Sequence, residues 1–280
     1  MTMILLHLLA AALYLGLAGH FWRTRWRGAV RSQTQPHGAL HGWERGLLLV
    51  TLALHGVVLN QGIFADGVMR FGFSVSLSMM LWLAIAAYWI ESFYTRMEGL
   101  QILGFPLAAV CSLLPLVWPS PHLQANTDTL AFRAHFIVAM LAYSLFSLAA
   151  MHVLLMAAAE RSLHKGRLLP LLSSLPPLLT MEALLFRLIY IGFFLLTLTV
   201  LSGVFFSEAL FGKPWSIDHK TVFGFISWLI FAALLLGRHL RGWRGRLAMR
   251  WTLAGFAVLL LAYVGSHFVI EVILHRAAAA

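Results

Sequence analysis

The apolar positions of this chain fall in long unbroken runs, not in the alternating or one-faced patterns of soluble strands and helices. Eight such runs stand at about 3–21, 46–64, 71–91, 100–118, 131–158, 184–206, 220–238 and 251–274, each close to or above the roughly 20 apolar residues a spanning helix needs. They predict an all-α fold, a polytopic membrane helical bundle of about eight transmembrane helices forming a single integral membrane domain over residues 1–280. The connections are short except at about 160–183, where Pro170, Pro176 and Pro177 interrupt a leucine-rich sequence. That stretch is expected to lie along the interface. No short-period internal repeat is visible, nor the paired broken helices of a secondary transporter.

Composition agrees: 61% of the 280 residues are apolar and 11% charged, against roughly 45 to 50% and 25% in soluble domains, which excludes a water-soluble fold. One cysteine, Cys111, excludes an internal disulfide, a CxxC redox pair, a four-cysteine metal site and a CxxCH haem attachment. Any cofactor is held by other side chains. The formal charge of +10 would suggest nucleic acid in a soluble domain, but here its placement is the informative part. Fifteen of the 20 basic residues lie in one alternating set of connections, at 23–45, Arg96, 161–187 and 238–250. The positive-inside rule puts that set in the cytoplasm and both termini outside, with the bilayer and not nucleic acid as partner. The first run has no preceding basic residue and four arginines after it, so it is expected to stay as an uncleaved anchor.

Thirteen histidines in so apolar a chain matter by depth. At 1.5 Å per residue, His135 sits about one turn inside the outer end of the fifth run and His267 about two turns inside that of the eighth. His219 and His275 fall at the same outer boundary, whereas His55 is near mid-membrane and His239 at the inner end of the seventh run. An ionisable group within a span is a functional hypothesis by default. Imidazole suits haem iron, zinc or copper, while the carboxylates that hard cations require are scarce in the spans, so haem, here non-covalent and b-type, fits better than a hard cation. The plainer reading of an isolated intramembrane histidine is an interhelical hydrogen bond, and His7, His20, His37, His41, His122, His152 and His164 are assigned to it. Arg70, Arg133, Lys213 and Lys220 on the outer side could pair with haem propionates. Arg133, two positions before His135, is the first choice, against the equal alternative of a snorkelling helix-end arginine.

The stretch Lys213 Pro214 Trp215 Ser216 Ile217 Asp218 His219 Lys220, continuing to Ile226, Trp228 and Leu229, resembles the tryptophan-rich WWD segment of cytochrome c assembly proteins through Trp215, Ser216, Asp218, Lys220, Ile226, Trp228 and Leu229. Flanking runs 195–203, 242–246 and 261–266, and Leu141 Ala142 Tyr143 Ser144 after His135, extend the likeness over roughly 45–275. It is to the CcsA/CcmC-type cytochrome c assembly family, and within it to the HemX/YpjD branch. The resemblance implies a haem-handling inner-membrane protein that binds haem beside this segment at the outer face. It implies His135 as one iron ligand and His267 or His275 as the other, with His55 and His239 as membrane-embedded haem-route histidines. Ile217, His219, Val222 and Phe223 depart from the motif, and no large outer domain is present for apocytochrome. A haem-binding or regulatory relative is therefore expected over a complete synthase.

The expected function is haem binding or delivery in cytochrome c assembly in the bacterial inner membrane, with other assembly subunits or apocytochrome c as possible partners. Nothing resembles an activated nucleophile with a positioned base, so stand-alone catalysis is not expected. Two alternatives stand beside it: a haem-free structural or regulatory partner that keeps the fold, and a cytochrome b-like carrier with haems at His135/His267 and His55/His239.

Overall fold

The computed structural model describes residues 2–26, 40–64, 69–94, 99–119, 127, 129–164, 175–207, 219–265 and 268–269. Eight helices among them are long and apolar enough to cross a membrane: α1 (Thr2–Phe21), α2 (Gly42–Ile63), α3 (Phe73–Glu91), α4 (Leu100–Val117), α5 (Leu130–His164), α6 (Leu178–Phe205), α7 (His219–Arg241) and α8 (Gly245–Leu260). Two π-helical turns, Trp22–Trp26 and Leu261–Gly265, extend α1 and α8. The all-α membrane bundle read from the apolar runs is thus the fold observed.

The boundaries differ where charge ends an apolar run before the helix itself ends. α5 continues through Glu160 and Arg161 to His164, giving 35 residues and about 50 Å of length, more than hydrocarbon of about 30 Å requires. α6 begins at Leu178, directly after Pro176 and Pro177, so both ends of the 160–183 stretch belong to helices and not to an interfacial segment. Proline suits that position, since it breaks a preceding helix and lacks an N–H that a helix start would leave unbonded. α8 starts at Gly245 and carries Arg246 and Arg250 in its first turns.

The helices pack as two closed rings of four. In the first, α1 meets α2 and α4, and α3 meets α2 and α4; in the second, α5 meets α6 and α8, and α7 meets α6 and α8. The rings join chiefly along α3 and α5, with α4 against α5 and the second π turn against α3.

Their centres are built from different chemistry. At the heart of the second ring the Phe146 and Phe231 rings stack 3.9 Å apart at 19°, both wholly buried. They fit because the remaining two helices supply glycines: a Cβ on Gly192 of α6 would lie 3.1 Å from Phe146, and one on Gly255 of α8 would lie 2.8 Å from Phe231. Small residues that admit a partner closely are the main route to tight packing where lipid removes the hydrophobic drive. The first ring is centred on a polar group. The Tyr14 hydroxyl of α1 is bonded to His55 Nδ1 of α2 at 3.2 Å, His55 Nε2 to Ser78 Oγ of α3 at 2.9 Å, and Phe105 of α4 lies against the Tyr14 ring.

Gly192→Leu and Gly255→Leu should each destabilise the protein by about 1–3 kcal/mol, the usual cost of overpacking, whereas Gly16→Leu, with open space around the Cβ position, should leave the melting temperature in detergent unchanged. Equal melting temperatures for all three would contradict this packing.

Candidate functional site

Contacts between helix termini define two ends of the bundle. At the first end, Arg70 N donates to Ile63 O at 2.7 Å, the Ser74 hydroxyl donates to Trp118 O at 2.6 Å, and Phe71 meets Phe136 edge-on at 4.8 Å and Tyr263 at 5.9 Å. With Ser202 of α6 beside His135 of α5 and Lys220 of α7 over Tyr263, the starts of α3, α5 and α7 lie together with the ends of α2, α4, α6 and α8. The opposite end is rich in arginine, and each of its described glutamates is held by a basic side chain. Arg238 donates to Glu182 at 2.7 Å and Arg246 to Glu160 at 2.6 Å, Arg187 lies 3.3 Å from Glu91, and His20 and His41 bond Glu44. These pairs tie helix ends together and leave no acidic cluster for a cation: no group of three or more His, Cys, Asp or Glu able to hold a metal occurs among the described residues.

His135 stands at the first end, one turn into α5 and half-buried against α6. Its Nδ1 is 2.8 Å from the Ser202 hydroxyl oxygen. That hydroxyl also lies 3.1 Å from Thr199 O, to which it can donate. The Ser202 contact ties one ring nitrogen of His135 to α6 and so holds the plane of the imidazole. Supporting bonds to one ring nitrogen orient metal-binding histidines in this manner. Gly203 lies beside the same ring, its Cβ position 3.7 Å from His135 Cε1.

Aromatic and cationic side chains gather at the same end of the bundle. Phe136, the next residue on α5, packs on Phe71 and, in stacked fashion, on Phe132. Tyr263 touches Phe71 and receives the Lys220 ammonium over its ring at 5.4 Å, which joins the start of α7 to the π turn after α8. Trp228 is two turns further along α7, its indole donating to Thr197 Oγ1 at 2.9 Å and its ring stacked on Phe193. Arg133 is exposed, with Nε donating to Thr127 O at 3.1 Å.

Of the residues singled out from sequence, His135, Arg133, Lys220 and Trp228 thus lie on α5 and α7 at or toward this end. Trp215, Asp218, His267 and His275 lie outside the described residues. His55 and His239 are not brought together. His55 is wholly buried in the first ring with both ring nitrogens bonded, whereas His239 is exposed in the last turn of α7 in the second ring, at the arginine-rich end. His7 donates from Nδ1 to Ser112 O at 2.5 Å and His152 from Nε2 to Met181 O at 2.8 Å, the interhelical bonding expected of them. Sequence reading missed Ser202 as the partner of His135. Its only signal was a serine one turn inside the outer end of the sixth run, level with the histidine.

Comparison with known proteins bears on the same region. A family model described as cytochrome c assembly protein matches residues 44–274. The chain belongs to the cytochrome c assembly protein family. The inner membrane protein YpjD of Escherichia coli is 29% identical to it over 244 residues, 83% of this chain and 89% of YpjD. The cytochrome c biogenesis protein CcsA of Prochlorococcus marinus is 41% identical over 88 residues, 31% of this chain and 28% of CcsA. The family likeness read from the degenerate tryptophan segment is therefore correct, and the chain is a multi-pass membrane protein of cytochrome c biogenesis type.

Tyr14→Phe should lower stability by about 1 kcal/mol, the scale of an interhelical hydrogen bond in a membrane protein, because it leaves one ring nitrogen of His55 without its partner. A melting curve in detergent checks this, and an unchanged midpoint would remove the Tyr14–His55 bond from the account.

Proposed function

We propose that this protein is a haem-binding, haem-handling component of cytochrome c assembly in the bacterial inner membrane, with haem seated at the His135 end. The observation that carries the reading is the orientation of His135 by Ser202. Family membership and the names of the two relatives support the process and the membrane. The positive-inside rule supports an outer location for this end, since the arginine-rich end is the opposite one.

In this reading the imidazole of His135 would hold the iron, together with that of His267 or His275. Ser202 is a positioning residue: it holds the plane of the imidazole. Phe136, Phe71 and Tyr263 exclude water from an apolar face, Lys220 and Arg133 neutralise carboxylates at the rim, and Trp215, Asp218 and Trp228 belong to the same platform through the family resemblance. Bound haem would supply an iron centre whose potential two imidazoles tune. The chain's own part is to bind, orient and shield it for an assembly partner or apocytochrome c. His55 serves the first ring as a bonded core residue in this account, so a second haem between His55 and His239 is not part of it.

The test is haem content per chain after purification in mild detergent. His135→Ala should abolish it, and Ser202→Ala should weaken haem affinity by about 10- to 100-fold, as loss of a ligand's supporting partner does. His152→Ala should leave haem content unchanged. Equal loss from His135→Ala and His152→Ala would refute His135 as the ligand, and a folded native protein without haem would favour the haem-free scaffold that the departures at Ile217 and Phe223 also suit.

A further inference from the structure

A second feature lies at the same end of the bundle, where Ser74 of α3 meets Trp118 after α4. Three elements line an open groove of about 320 Å³ at the junction of the two rings: α3 through Phe73 and Leu77, α4 through Leu114 and Trp118, and the end of α8 with its π turn through Leu260, Leu261, Val264, Gly265 and Phe268. Each wall is a row of residues four apart, the spacing that puts side chains one above another on a helix face. The groove is bounded by built features. Ser74 is wholly buried and its hydroxyl fastens the start of α3 to Trp118 O. Pro115, inside α4, brings no N–H to that helix wall, and Phe73 meets both Trp118 and Phe268 edge-on at 6.0 and 5.5 Å.

We propose that this groove binds one hydrocarbon chain of a membrane phospholipid, whose head group stays outside. Apart from the Trp118 indole the lining carries no polar side chain, so the space offers a water molecule none of the two to four partners it needs. Left unfilled, the groove forfeits dispersion contacts along its lining. The floor residues Phe73 and Val264 are buried, while Trp118, Leu261 and Phe268 at the rim are 42%, 50% and 41% exposed, Leu261 within the membrane-spanning segment Gly245–Gly265. The surroundings of the rim are therefore hydrocarbon, and the nearest matter able to enter is an acyl chain. At about 320 Å³ the groove is at the lower limit of ligand pockets, which suits one chain and not a whole lipid. Because its walls come from α3 and α4 of one ring and the end of α8 from the other, the chain would fill the seam between the rings.

Native mass spectrometry of the full-length protein tests this. After repeated detergent washing and incubation with palmitoyl-oleoyl phosphatidylglycerol, the protein should retain one phospholipid per chain. The double variant Leu77→Phe with Leu114→Phe, which fills the groove from two walls, should retain several-fold less while melting at or above the native temperature. Decane, a chain without a head group, should displace the phospholipid from the native protein, an arm that stands even if the double variant fails to fold. Equal retention by the native and filled proteins, retention of an isoprenoid lipid in place of the phospholipid, or no displacement by decane would each overturn the proposal.

Discussion

Inside a bilayer no water is available to a polar group that lacks a partner, and every such group must be satisfied within the protein. This constraint orders most of what is seen here. Several buried serines and threonines donate to carbonyls within their own helices, as Thr51 does to Leu47 and Thr252 to Ala248, while Ser227 donates to Gly255 O of α8 and the intramembrane histidines reach across to a neighbouring helix. His7 joins α1 to α4, His55 joins α2 to α1 and α3, His135 joins α5 to α6, and His152 does the same nearer the arginine-rich end. Each bond fixes the relative height of two helices, something a seam of leucines in lipid does poorly.

The two rings meet this constraint in different ways, and the difference gives them separate roles. The first ring commits its central histidine wholly to Tyr14 and Ser78. The second ring is centred on an apolar stack with glycines beneath it, and its histidine stands near the end, half-buried and braced by a serine. His55 has both ring nitrogens engaged in holding helices together, while His135 has Nδ1 against Ser202. In the proposed function the second ring carries the haem and the first ring backs it, through the Phe71 contacts with Phe136 and Tyr263.

Much of the fold was legible because about 20 uninterrupted apolar residues are a compositional signal, independent of what each helix touches. Helix ends were less legible, since Glu160, Glu182 and Arg246 terminate an apolar run without terminating a helix. The ring arrangement was not legible at all. Helices such as α1 and α3 are apolar on nearly every face, because the outward face meets lipid and the inward face meets protein, so no stripe marks the neighbour. For the site, depth along the chain singled out His135. Its serine partner is 67 residues away, and only the packing of α5 on α6 brings the two together. The same limit applied to His55, whose mid-membrane position suggested a ligand until both of its nitrogens were seen to be bonded.

The most direct measurement of the central claim is the absorption spectrum of the native protein, oxidised and then reduced with dithionite, purified in mild detergent from cells supplied with a haem precursor. A haem held by His135 and a second imidazole predicts a Soret band near one haem per chain and sharp α and β bands on reduction. A featureless spectrum from folded protein, beside a control haem protein that keeps its haem through the same preparation, would contradict it.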